Sequence, residues 1–133
     1  MVLKARVQPA NVPDREGARS VLTAARPEQP RLERVWVDAG YTGPLLVWAK
    51  EALGLTLEVT KRPRRWIRTP AGQEPPPLPA GFSVLPRRWV VERTFAWLGR
   101  HRRLSKDYEH LPATEEAWIY LAMTRLMLAR LAR

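Results

Sequence analysis

Cysteine is absent from the 133-residue sequence, which excludes disulfides and thiolate metal sites. Long apolar runs are absent too: no stretch approaches the roughly 18 to 20 residues needed to span a bilayer. The opening segment, "MVLKARVQPANVPDREG", has no apolar core of the kind a secretory signal needs. These absences read together as a soluble, cytoplasmic protein. Glycine is sparse, at 7 residues, and no Gly-rich phosphate loop or nucleophile elbow is visible. The two histidines, His101 and His110, share no metal-ligand spacing with other donors, so a zinc site is not expected.

Acid is scarce in one region only. Residues 61–106 hold 12 Lys/Arg and just two acids, Glu74 and Glu92, whereas the rest of the chain holds 11 of each sign. The whole net charge of +10 therefore sits in about one third of the sequence. Solubility does not require that segregation. A local field of one sign favours a polyanion, most simply nucleic-acid phosphate. A solvated basic face without a partner is the plainer alternative.

What is present suffices for a core: 45% of the residues are hydrophobic, with six Trp among them, in a length suited to one domain. "VLKARVQP" (2–9) alternates as a short strand would. The stretch after Asp14, a candidate cap, spaces Ala18, Val21, Leu22 and Ala25 on one helical face, with Pro27 and Pro30 to end it. "LERVWVDAG" (32–40) is a second strand, whose run Val35-Trp36-Val37 suits a sheet covered on both faces. Thr42 or Gly43 can cap a helix with Pro44 in its first turn, stopping at Gly54. "LTLEVTK" (55–61) is a third strand. Strand and helix alternating in this order predict an α/β sheet with helical crossovers.

Residues 63–86 contain seven prolines and read as an exposed, semi-rigid basic loop in which Trp66 lies among cations, either stacked on bases or buried against the sheet. C-terminal helices fill 87–133. In the first, Val91, Phe95 and Leu98 form a stripe expected to face a core. Thr114 is a candidate cap for the last, with Glu115 and Glu116 complementing its dipole.

Two carboxylates stand out. Asp38 ends a strand before a Gly turn, where open α/β sheets place their sites, and where an Asp also commonly bonds its own backbone. Glu92 lies one residue, roughly 100°, around the helix from Val91. An i, i+4 ion pair with Arg88 would account for it alone. Taken together in a basic chain, the two match what a Mg²⁺-dependent phosphoryl-transfer site needs: carboxylate oxygens for a hard cation, with surrounding cations to hold the phosphate backbone.

"VDAGYTG" followed by "LPRRWVVERTFAWLGRHRRLSKDYE" and "EEAWIYLAMTRLML" closely resembles the C-terminal part of insertion-sequence DDE transposases of the four/five-type group. "PANVPDREGA" resembles that family's segment between its first two catalytic acids. The resemblance covers nearly the whole chain and implies an RNase H-like mixed sheet flanked by helices, incomplete at its N-terminal strands. By the family's pattern Asp38 is the second catalytic Asp and Glu92 the catalytic Glu, both holding Mg²⁺. Arg88 matches the motif's arginine; the expected tyrosine is Leu85 and the expected lysine is Gly99. Arg100 or Arg103 is a candidate substitute for that lysine's phosphate contact. DNA contacts are expected at Arg64, Arg65, Trp66 and Arg88, and in the cluster Arg100, Arg102, Arg103 and Lys106. Nothing matches the first catalytic Asp, since Asp14 resembles a non-catalytic position. Nor does any segment resemble the N-terminal DNA-binding region usual in such enzymes, which is expected to be absent.

The expectation is thus a partial DDE catalytic domain over 1–133 that does not cut DNA alone, whether a relic or half of a split reading frame completed by a partner. Self-association through an exposed sheet edge is a further expectation. The alternatives are a non-catalytic DNA-binding module that regulates an intact transposase and, less in keeping with Asp38 and Glu92, a basic RNA-binding protein.

Overall fold

The computed structural model describes residues 1–60, 72 and 89–132. The Pro-rich segment 63–86 apart from Gly72, with Arg64, Arg65 and Trp66, and also Arg88, lies outside the described residues.

Helix α1 (Asp14–Glu28) buries Leu22 and Ala25, with Val21 and Ala18 half-buried beside them. Its cap is Pro13, whose carbonyl accepts N–H bonds from Glu16 and Gly17 at 2.9 and 3.1 Å. Asp14 is therefore the first helical residue, where its charge favours the dipole, and not the cap. Strand β1 (Arg34–Val37) leads through a turn into α2 (Pro44–Leu53) and then β2 (Thr56–Val59). Gly43 enters α2 at φ 71° and ψ −134°, a conformation that a Cβ would strain. At the other end Gly54 is left-handed, φ 65°. Its N–H bonds the Lys50 carbonyl at 3.1 Å, and the N–H of Leu55 reaches the Ala49 carbonyl at 3.0 Å, so the chain folds back on the last turn of the helix and satisfies its carbonyls.

The strands pair in parallel, Val35 opposite Leu57 and Val37 opposite Val59. That register puts these four residues on one face, with Leu57 buried and the others half-buried. The core there is Leu22, Leu45, Ala49, Leu55 and Leu57. Arg19 lies over the Trp48 ring at 5.0 Å and joins α1 to α2. The opposite sheet face carries the Arg34–Glu58 ion pair at 3.0 Å, and Trp36 is 44% exposed. The sheet is thus covered on one face, not two, among the described residues.

Segment 2–9 is not a strand. It lies against α4 (Pro112–Leu131), where the amide of Ala5 donates to the Tyr120 hydroxyl at 2.9 Å and that of Val7 to the Glu116 carboxylate at 3.0 Å. Lys4 pairs with Glu28 at the end of α1, so the same segment ties α4 to the sheet half. Side chains of α4 satisfy the backbone donors that a strand neighbour would otherwise have taken. Helix α4 begins at Pro112 after Leu111, placing Thr114 inside the first turn instead of at the cap. Proline at the first helical position has no N–H to leave unsatisfied, which favours that start.

Helix α3 (Trp89–Leu98) packs against α4 and has no buried residue. Its expected core stripe is open over two of its three residues: Val91 is 57% and Phe95 69% exposed, and Leu98 is half-buried. A single 3-10 turn, Arg102–Leu104, joins it to the last helix. Among the described residues the architecture is four helices and a two-stranded parallel sheet, α/β as expected but without a mixed sheet. No helix among them is long and apolar enough to cross a membrane.

Candidate functional site

Asp38 follows the last residue of β1 and is exposed. Its Oδ1 accepts the Gly40 N–H at 2.8 Å and its carbonyl accepts that of Tyr41 at 3.2 Å, so the turn-forming role is real. That bond uses one carboxylate oxygen; no hydrogen bond among the described residues engages Oδ2. Arg15, in the first turn of α1, donates Nε to the Gly40 carbonyl at 3.1 Å and fixes the turn against the helix. A cleft of about 340 Å³ lies there, lined by Pro13, Asp14, Arg15, Gly40 and Tyr41. Burial, then the charges of Asp14 and Asp38, pushes the Tyr41 phenol above its ordinary pKa.

Glu92 lies in the first turn of α3 and is exposed. The next residue, Arg93, lies 3.8 Å over the Trp89 ring and 4.8 Å from the Trp97 ring. Arg130 of α4 covers Trp97 at 4.5 Å. Trp89, Arg93 and Trp97 are spaced i, i+4, i+8, so this column was readable as one helical face and was missed.

Past α3 the cations gather. Arg100, Arg102, Arg103 and Lys106 are all exposed. Arg103 lies over Trp118 at 5.6 Å, and its Nε is 3.6 Å from Glu109 Oε1. Arg125, from α4, joins Arg100, Arg102 and Arg103 in lining one groove of about 530 Å³. Sequence spacing gave no signal for Arg125, which reaches the groove only because α4 packs back on the 3-10 turn.

Nearby, Glu115 Oε2 is buried without a hydrogen-bond partner. Burial first, then Asp107 and Glu109, raises the Glu115 pKa, against the opposing pull of Arg103. A carboxyl raised in the folded state favours folding fully below its unfolded pKa and loses that contribution as pH rises through the folded value. Glu115→Gln is therefore expected to raise the melting temperature at neutral pH and to leave it unchanged at pH below the ordinary carboxylate range. Thermal melts at the two pH values measure this; an equal shift at both would assign the effect to packing instead.

A family model described as a transposase DDE domain matches residues 35–129. The chain belongs to the DDE transposase family. No curated protein and no solved structure matches it. The matched span starts in β1, includes Asp38 and Glu92, and ends near the end of α4. DDE transposases act on DNA in transposition and generally depend on a divalent metal. Asp38 and Glu92 are carboxylates, the donor type a hard cation prefers. They fall short in number: among the described residues no group of three or more His, Cys, Asp or Glu could hold a metal ion.

Proposed function

We propose that the chain is the C-terminal portion of an insertion-sequence DDE transposase of the four/five-type group, RNase H-like in fold. In the complete enzyme Asp38 and Glu92 are two of the three carboxylates that hold Mg²⁺ for strand cleavage and transfer in DNA transposition. The carrying observation is the family match over 35–129, which spans both acids. Asp38 at the carboxyl end of a parallel strand supports the assignment, because that is where open α/β sheets place their sites. In this reading the basic residues Arg64, Arg65, Arg88, Arg100, Arg102, Arg103 and Lys106 bind the DNA backbone, and Trp66 among them stacks on a base. Ligand count sets both affinity and geometry at a hard-metal site, so the 133 residues alone do not cut DNA. The first Asp of the family's pattern would complete the site.

The test is nicking of supercoiled plasmid with Mg²⁺, run beside DNA binding as a function of salt. Binding that weakens steeply with salt and no protein-dependent nicking are expected, with Glu92→Ala binding duplex equally well or slightly more tightly. Mg²⁺-dependent nicking abolished by both Asp38→Ala and Glu92→Ala would show that the two carboxylates suffice. A second reading, a non-catalytic DNA-binding module that regulates an intact transposase, is favoured by the convergence of four arginines on one groove. It predicts the same binding, and inhibition of an active transposase that Glu92→Ala leaves in place.

A further inference from the structure

The groove between the 3-10 turn and α4 has two chemically different parts. Arg100, Arg102, Arg103 and Arg125 supply the cationic lining, whereas Leu104, Trp118, Leu121 and Ala122 supply an apolar one. Its volume, about 530 Å³, lies within the range of small-ligand clefts, roughly 300 to 1,000 Å³. Arg100, Arg102 and Arg125 make no ion pair among the described residues, so their charge is available to a ligand. Arg103 is held differently. It lies over the Trp118 ring at 5.6 Å and is tethered to Glu109, whose side chain is only 13% exposed. A guanidinium fixed in this way offers a flat face on which a base can stack, as well as N–H edges for phosphate oxygens.

A duplex presents phosphates on its outside and keeps its base faces stacked within. Contact with that surface needs cations and makes no use of an apolar hollow. An unpaired nucleotide offers both a base face and a phosphate, the combination this lining complements.

We propose that the groove holds one nucleotide of single-stranded DNA, its base against Arg103, Leu104, Trp118 and Leu121 and its phosphate on Arg100, Arg102 and Arg125. The assignment rests on the DNA-binding reading above and adds Arg125 and Trp118 to it.

The experiment is fluorescence anisotropy of the full chain with a labelled oligothymidylate and, separately, a blunt duplex. Leu121 is 56% exposed, so Leu121→Ser removes apolar lining with little risk to folding. Leu121→Ser should weaken the oligothymidylate severalfold and leave the duplex unchanged. Trp118→Ala, checked for folding by circular dichroism, should cost the single strand roughly tenfold. Arg125→Ala should weaken both and reduce the salt slope on duplex by about one unit. Equal effects of Leu121→Ser on the two DNAs, or none on either, would overturn the groove assignment while leaving duplex binding intact. Failure of the unaltered chain to bind either DNA would overturn the DNA-binding reading with it.

Discussion

Leu55→Ala is expected to lower the unfolding free energy by about 2 to 5 kcal/mol, the range for a buried Leu truncated to Ala. Leu55 is 0% exposed and belongs to the one described cluster in which α1, α2 and β2 meet. It also follows the left-handed Gly54, and its amide closes α2 on the Ala49 carbonyl. The backbone there is pinned from both sides and has little freedom to collapse into the space left. Small domains have total stabilities of about 5 to 15 kcal/mol, so the loss is a large share. Urea denaturation followed by far-ultraviolet circular dichroism should show a lower midpoint with an unchanged slope. Val47→Ala is the control: Val47 is on the same helix but 56% exposed, and should change stability by less than about 0.5 kcal/mol. A Leu55→Ala effect no larger than the control would mean that the α1–α2–β2 cluster is not what holds the sheet half together.

That cluster was legible because its signals are local. Alternation in 55–61, the apolar face Ala18, Val21, Leu22 and Ala25, and the Pro44 and Gly54 punctuation each depend on neighbours in sequence, and the fold follows them, although α1 runs through Pro27 to Glu28 instead of ending at it. Segment 2–9 alternates equally well, yet its amides go to Tyr120 and Glu116, side chains more than a hundred residues away. No local pattern could decide between a strand neighbour and α4 as the acceptor. The α3 stripe makes the same point from the other direction. Periodicity says that Val91, Phe95 and Leu98 share a face, but what covers that face is a tertiary matter, and here Phe95 is among the most exposed large apolar residues. At the candidate site, Asp38 follows the end of a strand as expected, and its bond to Gly40 shows the turn-forming role. That bond engages one carboxylate oxygen, so it does not compete with the site role proposed above. Arg125 was invisible because its meaning depends wholly on the packing of α4.

Replacing Arg100, Arg102 and Arg103 together with Ala should weaken duplex binding on the order of a hundredfold at low salt and flatten its salt dependence. Each phosphate neutralised contributes about 0.9 to the slope of log affinity against log salt, so three independent contacts would remove roughly 2.7. Arg103 is not independent. Glu109, 3.6 Å away, already balances part of its charge, and the Trp118 ring occupies one of its faces. The expected loss of slope is therefore nearer two than three, with Arg100 and Arg102 carrying it. Arg103→Ala alone should change the slope least, but it strips Glu109 of its ion partner and removes the cation that opposes the raised pKa of Glu115. Its signature should therefore be a loss of stability at neutral pH that recovers on acidification, a change Arg100→Ala should not produce. Titrations at several salt concentrations, with melts at neutral and acidic pH, separate the two effects. An unchanged slope in the triple variant would reduce the cluster to a solvated basic face. A slope change carried by Arg103 alone would mean that phosphate displaces Glu109, making that carboxylate a competitor for the DNA backbone.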